Sequence, residues 1–224
     1  MIAPNPSRGF TFVELLVSMV FTFILLGVIY AVYRVQAHTV KVQEKRQEAQ
    51  EYARAVLDVM VREIRNAGYN PTQVSLSDLA LYGVNCGGGV PGVPGVVSAT
   101  STSVRFTYDY RGSSSAPDRN CDDPDEDITY AYQSPGPQSC PSGKGDIVRT
   151  ANGTSEALTD CNVTALTFAY YAQDSTTAMS PVVPANIQRV KVTLTVQSKD
   201  PDGQFGGQLT STVYSNIELR NRGL

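Results

Sequence analysis

A lone carboxylate stands inside a long apolar run. From Phe10 to Tyr33 the chain reads FTFVELLVSMVFTFILLGVIYAVY, and Glu14 is its one charged side chain. In hydrocarbon such a group costs about 2.5–3.5 kcal/mol on insertion scales for Asp at a helix centre. A carboxylate kept at that cost needs a cation, and the run supplies none. The partner must come from another chain or from a newly made N-terminus. The chemistry this points to is ion pairing between subunits.

Bond-making chemistry finds little support. His38 is the single histidine and falls in a polar stretch, away from any Ser, Cys or Asp that could complete a nucleophilic site. No G-x-x-x-x-G-K-[ST] sequence occurs, and Gly87-Gly88-Gly89 lacks the strand and helix that frame a phosphate cradle. The chain reads as a non-enzyme without a cofactor. Asp118, Asp122, Asp123, Asp125, Glu126 and Asp127 form an acidic run whose oxygens could hold Ca²⁺, but the EF-hand pattern is absent and a solvated loop is the expectation. Asn152-Gly153-Thr154 and Asn162-Val163-Thr164 fit the glycosylation acceptor pattern, which is common by chance.

Cys86, Cys121, Cys140 and Cys161 are the four cysteines. They are widely spaced with no C-x-x-C, which argues against a zinc site, so no metal ligand is assigned. Their even number beyond an apolar segment points to disulfides in an oxidising compartment. Three pairings are possible. The expected one joins Cys121 to Cys140, which flank the strand containing Ile128 and close a short loop, and Cys86 to Cys161.

The elements that must position these residues follow from periodicity. The apolar run, about 24 residues long, is enough to cross a bilayer core. Tyr30, Tyr33 and Arg34 close it with an interfacial pattern, and Arg8 in the short segment before it keeps that end in the cytoplasm. A cleaved secretory signal would have a shorter core and a small-residue cleavage site after it. The sequence instead continues as helix. Residues 36–51 are polar and rich in helix formers. An apolar stripe follows at Ala53, Val56, Leu57, Met60, Ile64 and Ala67, with the helical steps of three and four. Gly68 and Pro71 are the stop signals. A continuous helix from Phe10 to Ala67 would be roughly 87 Å long at 1.5 Å per residue.

After Pro71 the period becomes two. Val104 to Tyr110, Ile128 to Tyr132, Leu166 to Tyr170, Val190 to Val196 and Leu209 to Leu219 read as strands of an antiparallel sheet with one buried face. One long N-terminal helix laid on a C-terminal antiparallel sheet domain is an α+β arrangement. The net charge of −3 and a pI near 5.2 give no basic footprint, which argues against nucleic acid as a partner.

The stretch Ser7-Arg8-Gly9-Phe10-Thr11-Phe12-Val13-Glu14-Leu15 resembles the type IV prepilin motif. The resemblance implies a peptidase cut after Gly9, N-methylation of Phe10, and pairing of Glu14 with the N-terminal amine of a neighbouring subunit. Ala53-Arg54-Ala55-Val56-Leu57-Asp58, Arg62 to Tyr69, Asp127 to Tyr132 and Asn162 to Phe168 are similar to PilW-type minor pilins, and the J-type minor pseudopilins of type II secretion share the general architecture. The implied organisation is a leader over 1–9, a transmembrane helix over 10–34, its periplasmic continuation over 35–67, and a β-rich periplasmic domain over 68–224. The implied location is the inner membrane, single-pass, and then the pilus filament. The implied partners are other pilin subunits through the helix, the prepilin peptidase and inner-membrane lipid. The implied role is to prime or cap a type IV pilus serving adhesion or twitching motility. The alternatives are a minor pseudopilin and a ligand-binding tip component for adhesion or DNA uptake.

Overall fold

A computed structural model describes residues 9–69, 86, 94–110, 121, 123–198 and 207–220. The chain divides into two compact units, one through Lys45 and one from Arg46. Helix α1 (Phe12–Arg65) contributes to both. In the second unit one face of α1 is buried at Ala49, Ala53, Val56, Leu57, Met60 and Ile64, the stripe that the three-and-four spacing predicts. The helix gives way to a turn that ends at Gly68. Its φ of +78° is the left-handed conformation in which glycine carries no Cβ penalty. Gly68 donates its amide to the Thr107 carbonyl at 3.0 Å, so the helix end is tied to a strand. Pro71 lies outside the described residues.

Two antiparallel meanders follow, not the single sheet that the sequence suggests. The first runs β1 (Val96–Ala99), β2 (Ser103–Thr107), β3 (Asp127–Gln133), β4 (Asp146–Ala151) and β5 (Thr154–Ala157). The second runs β6 (Val163–Tyr171), β7 (Arg189–Gln197) and β8 (Thr210–Glu218). Their inward residues share one apolar cluster with the helix stripe, including Phe106, Ile128, Leu166, Val192 and Leu194. Alternation reports which residues face inward but not which sheet they join. The break falls after β5, where Cys161 takes φ +50° and the chain turns away; a bridge between Gly145 and Val163 joins the two sheets there.

Strands β1, β4 and β5 escape the period-two reading. Asp146, Ile147 and Val148 are buried in succession at the start of β4, and β5 is largely exposed. A local signal for the β4–β5 hairpin does exist. Asn152 and Gly153 have φ +46° and +83°, as a two-residue turn of the kind favoured by Asn-Gly requires. Asn152 also works inside the fold: its Oδ1 accepts the amides of Glu126 and Asp127, each at 3.3 Å.

The cysteines pair differently from the expectation. The bonds are Cys86–Cys121 and Cys140–Cys161, with Cα atoms 5.0 and 5.2 Å apart. Cys121 and Cys140 lie before and after β3, and one extended strand holds its two flanks roughly 20 Å apart. A hairpin instead returns the chain to its starting edge. Cys86 and Cys121 bracket the β1–β2 hairpin, and Cys140 and Cys161 bracket β4–β5.

Buried tyrosines close the core. Tyr170 of β6 donates its hydroxyl to the Thr100 carbonyl at 2.8 Å, across to the β1–β2 turn. Burial raises the phenol pKa of Tyr52, Tyr108, Tyr130 and Tyr170 above the ordinary 10.0. Both folded and unfolded chains keep these phenols protonated below that value. Above it the unfolded chain loses protons that the folded chain retains, so stability falls as pH rises. Urea midpoints should therefore fall as pH rises beyond about 10. Phenolate absorbance should show the buried Tyr108, Tyr130 and Tyr170 ionising only as the protein unfolds. Ionisation of all 12 tyrosines near the ordinary value, in a still-folded chain, would contradict the burial described.

Candidate functional site

The N-terminal site is built by the first turn of α1. Glu14 donates its amide to Thr11 Oγ1 at 3.3 Å, and the Thr11 amide reaches back to Glu14 Oε2 at 3.3 Å. The Thr11 hydroxyl also lies 3.3 Å from Oε2. This reciprocal pattern is a capping box, and its T-x-x-E signature is present at Thr11-Phe12-Val13-Glu14. The carboxylate thus has local, neutral donors and sits at the positive end of the helix dipole. The cap supplies neutral donors and no cation, so it adds to the charge-based reading of Glu14 without replacing it. Among the described residues no cation is paired with the Glu14 carboxylate. Phe10 is 84% exposed, and the apolar side chains that follow along the first unit are exposed as well. Among the described residues, α1 is long and apolar enough to cross a membrane once.

A second charged site ties the helix to the sheet. Glu63 projects from α1 beside Ile64 and accepts the Tyr130 hydroxyl at 2.5 Å and two bonds from Arg149, each at 3.1 Å. Arg149 also meets Asp125 at 2.7 Å and Glu156 at 3.3 Å. Its side chain is 12% exposed. Burial alone would lower the Arg149 pKa, but the bonds to Glu63 and Asp125 outweigh it and raise the value, so the guanidinium stays charged. Arg105 forms a two-pronged pair with Asp127, at 2.9 and 2.5 Å.

The acidic run is therefore partly structural. Asp125 and Asp127 face arginines, and the buried Glu126 accepts the Tyr110 amide at 2.8 Å. Glu126 and Asp127 are thus built into the fold, while Asp125 pairs with Arg149 and stays exposed; Asp118 and Asp122 lie outside the described residues. His38 is half-exposed on α1 in the first unit, and the four cysteines are all bonded in the second.

The family model for prepilin peptidase-dependent protein B (PpdB) matches residues 42–215. The chain belongs to this family. It is thereby a type IV pilin-related protein, of a pilin-type structural family. No curated protein and no solved structure matches the chain. The PpdB match begins after the apolar run, so it rests on the polar helix and the sheets and owes nothing to Gly9, Phe10 or Glu14.

The Arg149 tie can be measured in the detergent-extracted chain. Arg149→Met leaves the Glu63 carboxylate half-buried without its cation and should lower unfolding free energy by about 2–3 kcal/mol. Adding Glu63→Leu removes the stranded charge and should recover much of that loss in urea denaturation. Additive losses would show that the two residues do not act as a pair.

Proposed function

We propose that this PpdB-family chain is a PilW-like minor pilin that primes or caps a type IV pilus. Residues 1–9 form a leader with a cytoplasmic N-terminus, 10–34 span the inner membrane, and 35–67 carry the helix into the periplasm ahead of the β domain. The prepilin peptidase cuts after Gly9 and Phe10 becomes the methylated N-terminus. One observation carries the reading: an apolar, outward-facing helix starts directly after Gly9-Phe10 and holds a capped carboxylate in its first turn. The family match over 42–215 supports it from a separate part of the chain.

The mechanism is assembly through the helix. In the membrane the exposed apolar side chains of the first unit meet lipid. In a filament they meet the helices of other subunits, and the energy of leaving lipid is small because both environments are apolar. Direction and register then fall to the one charge. The capping box fixes Glu14 at the helix start, where the Phe10 ammonium of a neighbour can approach Oε1 and Oε2 and neutralise it. A minor pseudopilin of type II secretion would use the same contact. Loss of pili, as against loss of a secreted substrate, on deleting the chain separates the two.

Mass spectrometry of the membrane-extracted protein should find a chain that starts at Phe10 and is heavier by one methyl group. A mature chain retaining Met1, or starting near residue 35, would sink the prepilin reading. Glu14→Leu should insert, be cleaved and fold its β domain, yet co-purify poorly with filaments. Glu14→Asp keeps the charge at shorter reach and should be intermediate. Normal incorporation of Glu14→Leu would remove the ion pair from the mechanism while leaving the membrane span intact.

A further inference from the structure

Asp146 opens β4 and is fully buried. Its Oδ1 accepts the Cys161 amide at 2.7 Å and the Thr159 hydroxyl at 3.1 Å. Thr159 Oγ1 accepts the Ile147 amide at 2.9 Å in turn. These bonds fix the carboxylate and aim Oδ2 at Cys140 Sγ, 3.2 Å away. A disulfide sulfur has no proton to give. Among the described residues, this buried oxygen therefore meets a sulfur in place of a donor. Gly136 lies against the same oxygen, and a Cβ there would collide with it. A buried polar group needs hydrogen-bond partners or a cation, and an oxygen so placed has a sulfur where a donor should be. It is well placed beside two thiolates that share a cation.

Cys140 Sγ, Cys161 Sγ and a carboxylate oxygen of Asp146 all lie within 4.8 Å of one another. We propose that in the reduced chain Cys140, Cys161 and Asp146 bind a thiophilic divalent cation such as Zn²⁺, the disulfide and the cation being alternative occupants of one site. Two thiolates and a carboxylate leave the fourth tetrahedral position to water. With Zn–S bonds of about 2.3 Å, two thiolates on one tetrahedral zinc stand about 3.8 Å apart. Side-chain rotation can supply that separation from Cα atoms 5.2 Å apart. Thr159 and the Cys161 amide form the outer shell that orients Asp146.

The exchange balances. Binding to the two thiols releases two protons. Oxidation by a disulfide oxidant moves two electrons from the thiolates to it, forms the Cys140–Cys161 bond and frees the cation. Before oxidation the cation would hold Cys140 with Cys161 in a chain that has two further thiols. The three ligands are 6 and 15 residues apart in sequence, and only the closing of the β4–β5 hairpin brings them together.

The test uses the full chain in detergent. A phosphine with water reduces both disulfides and is then removed. Zn²⁺ is added, and alkylation is read cysteine by cysteine by mass spectrometry. Cys140 and Cys161 should be protected at least about tenfold relative to Cys86 and Cys121. Co²⁺ as a second probe should give a thiolate-to-cobalt charge-transfer band in the reduced chain and none in the oxidised chain. Asp146→Asn and Thr159→Val should each weaken cobalt binding, the former at least about tenfold. Equal alkylation of all four cysteines in the presence of Zn²⁺ would overturn the proposal. So would a folded Asp146→Asn variant that binds cobalt like the parent. If Asp146→Asn does not fold, the alkylation pattern of the unaltered chain decides.

Discussion

Burial of one face of α1 between Ala49 and Ile64 is the contact around which the second unit is arranged. Leu57, Met60 and Ile64 leave water almost completely, and each such side chain contributes about 1.5–3 kcal/mol. The inward residues of both meanders share this apolar cluster, so the helix is a common floor for two sheets joined to each other by a bridge. The same burial directs polar side chains. Glu63 adjoins Ile64 at the edge of the stripe, so its carboxylate enters a partly dry space where Tyr130 and Arg149 must satisfy it. An apolar stripe alone would allow the helix to slide along the sheets by a turn. The Glu63–Arg149–Asp125 set allows one register, since any other strands a half-buried charge.

The helix keeps one backbone pattern while its surroundings change. Through the first unit its apolar side chains are exposed, and an apolar surface of that extent marks contact with lipid or with other chains. From Ala49 on, the apolar positions narrow to one face and meet the chain's own sheets. The exposed apolar stretch and the stretch that packs on the sheets are thus different segments of one element. The family match, over residues 42–215, covers the stretch that packs on the sheets and leaves out the apolar run before it.

Hairpin closure does the remaining positioning. Each disulfide brackets a pair of neighbouring strands, where an out-and-back path returns the chain to one edge. In the β4–β5 hairpin that closure also seats Asp146 among Thr159, Cys140 and Cys161. The glycine at position 136 is required there because the carboxylate occupies the space a side chain would take.

Local pattern settled the features that depend on residues within a turn or two of each other. The helix, its buried stripe and its glycine stop were legible, because a period of 3.6 and a left-handed cap are properties of short segments. The α+β class was legible from the switch to period two. The Thr11–Glu14 capping box and the Asn152-Gly153 turn carried local signals of the same kind, though Glu14 stood out for its charge and its place in the prepilin-like motif and Asn152 for an acceptor pattern. Long-range relations were different. Two sheets in place of one, the pairing of Cys86 with Cys121 and of Cys140 with Cys161, and the meeting of Glu63 with Arg149 all depend on strand direction and on which edges meet. Alternation of apolar residues is unchanged when a strand moves to another sheet or reverses, so the sequence pattern is blind to those choices. Tertiary structure decides them: closing of the hairpins pairs the cysteines, and packing of α1 into the shared core brings Glu63 to Arg149.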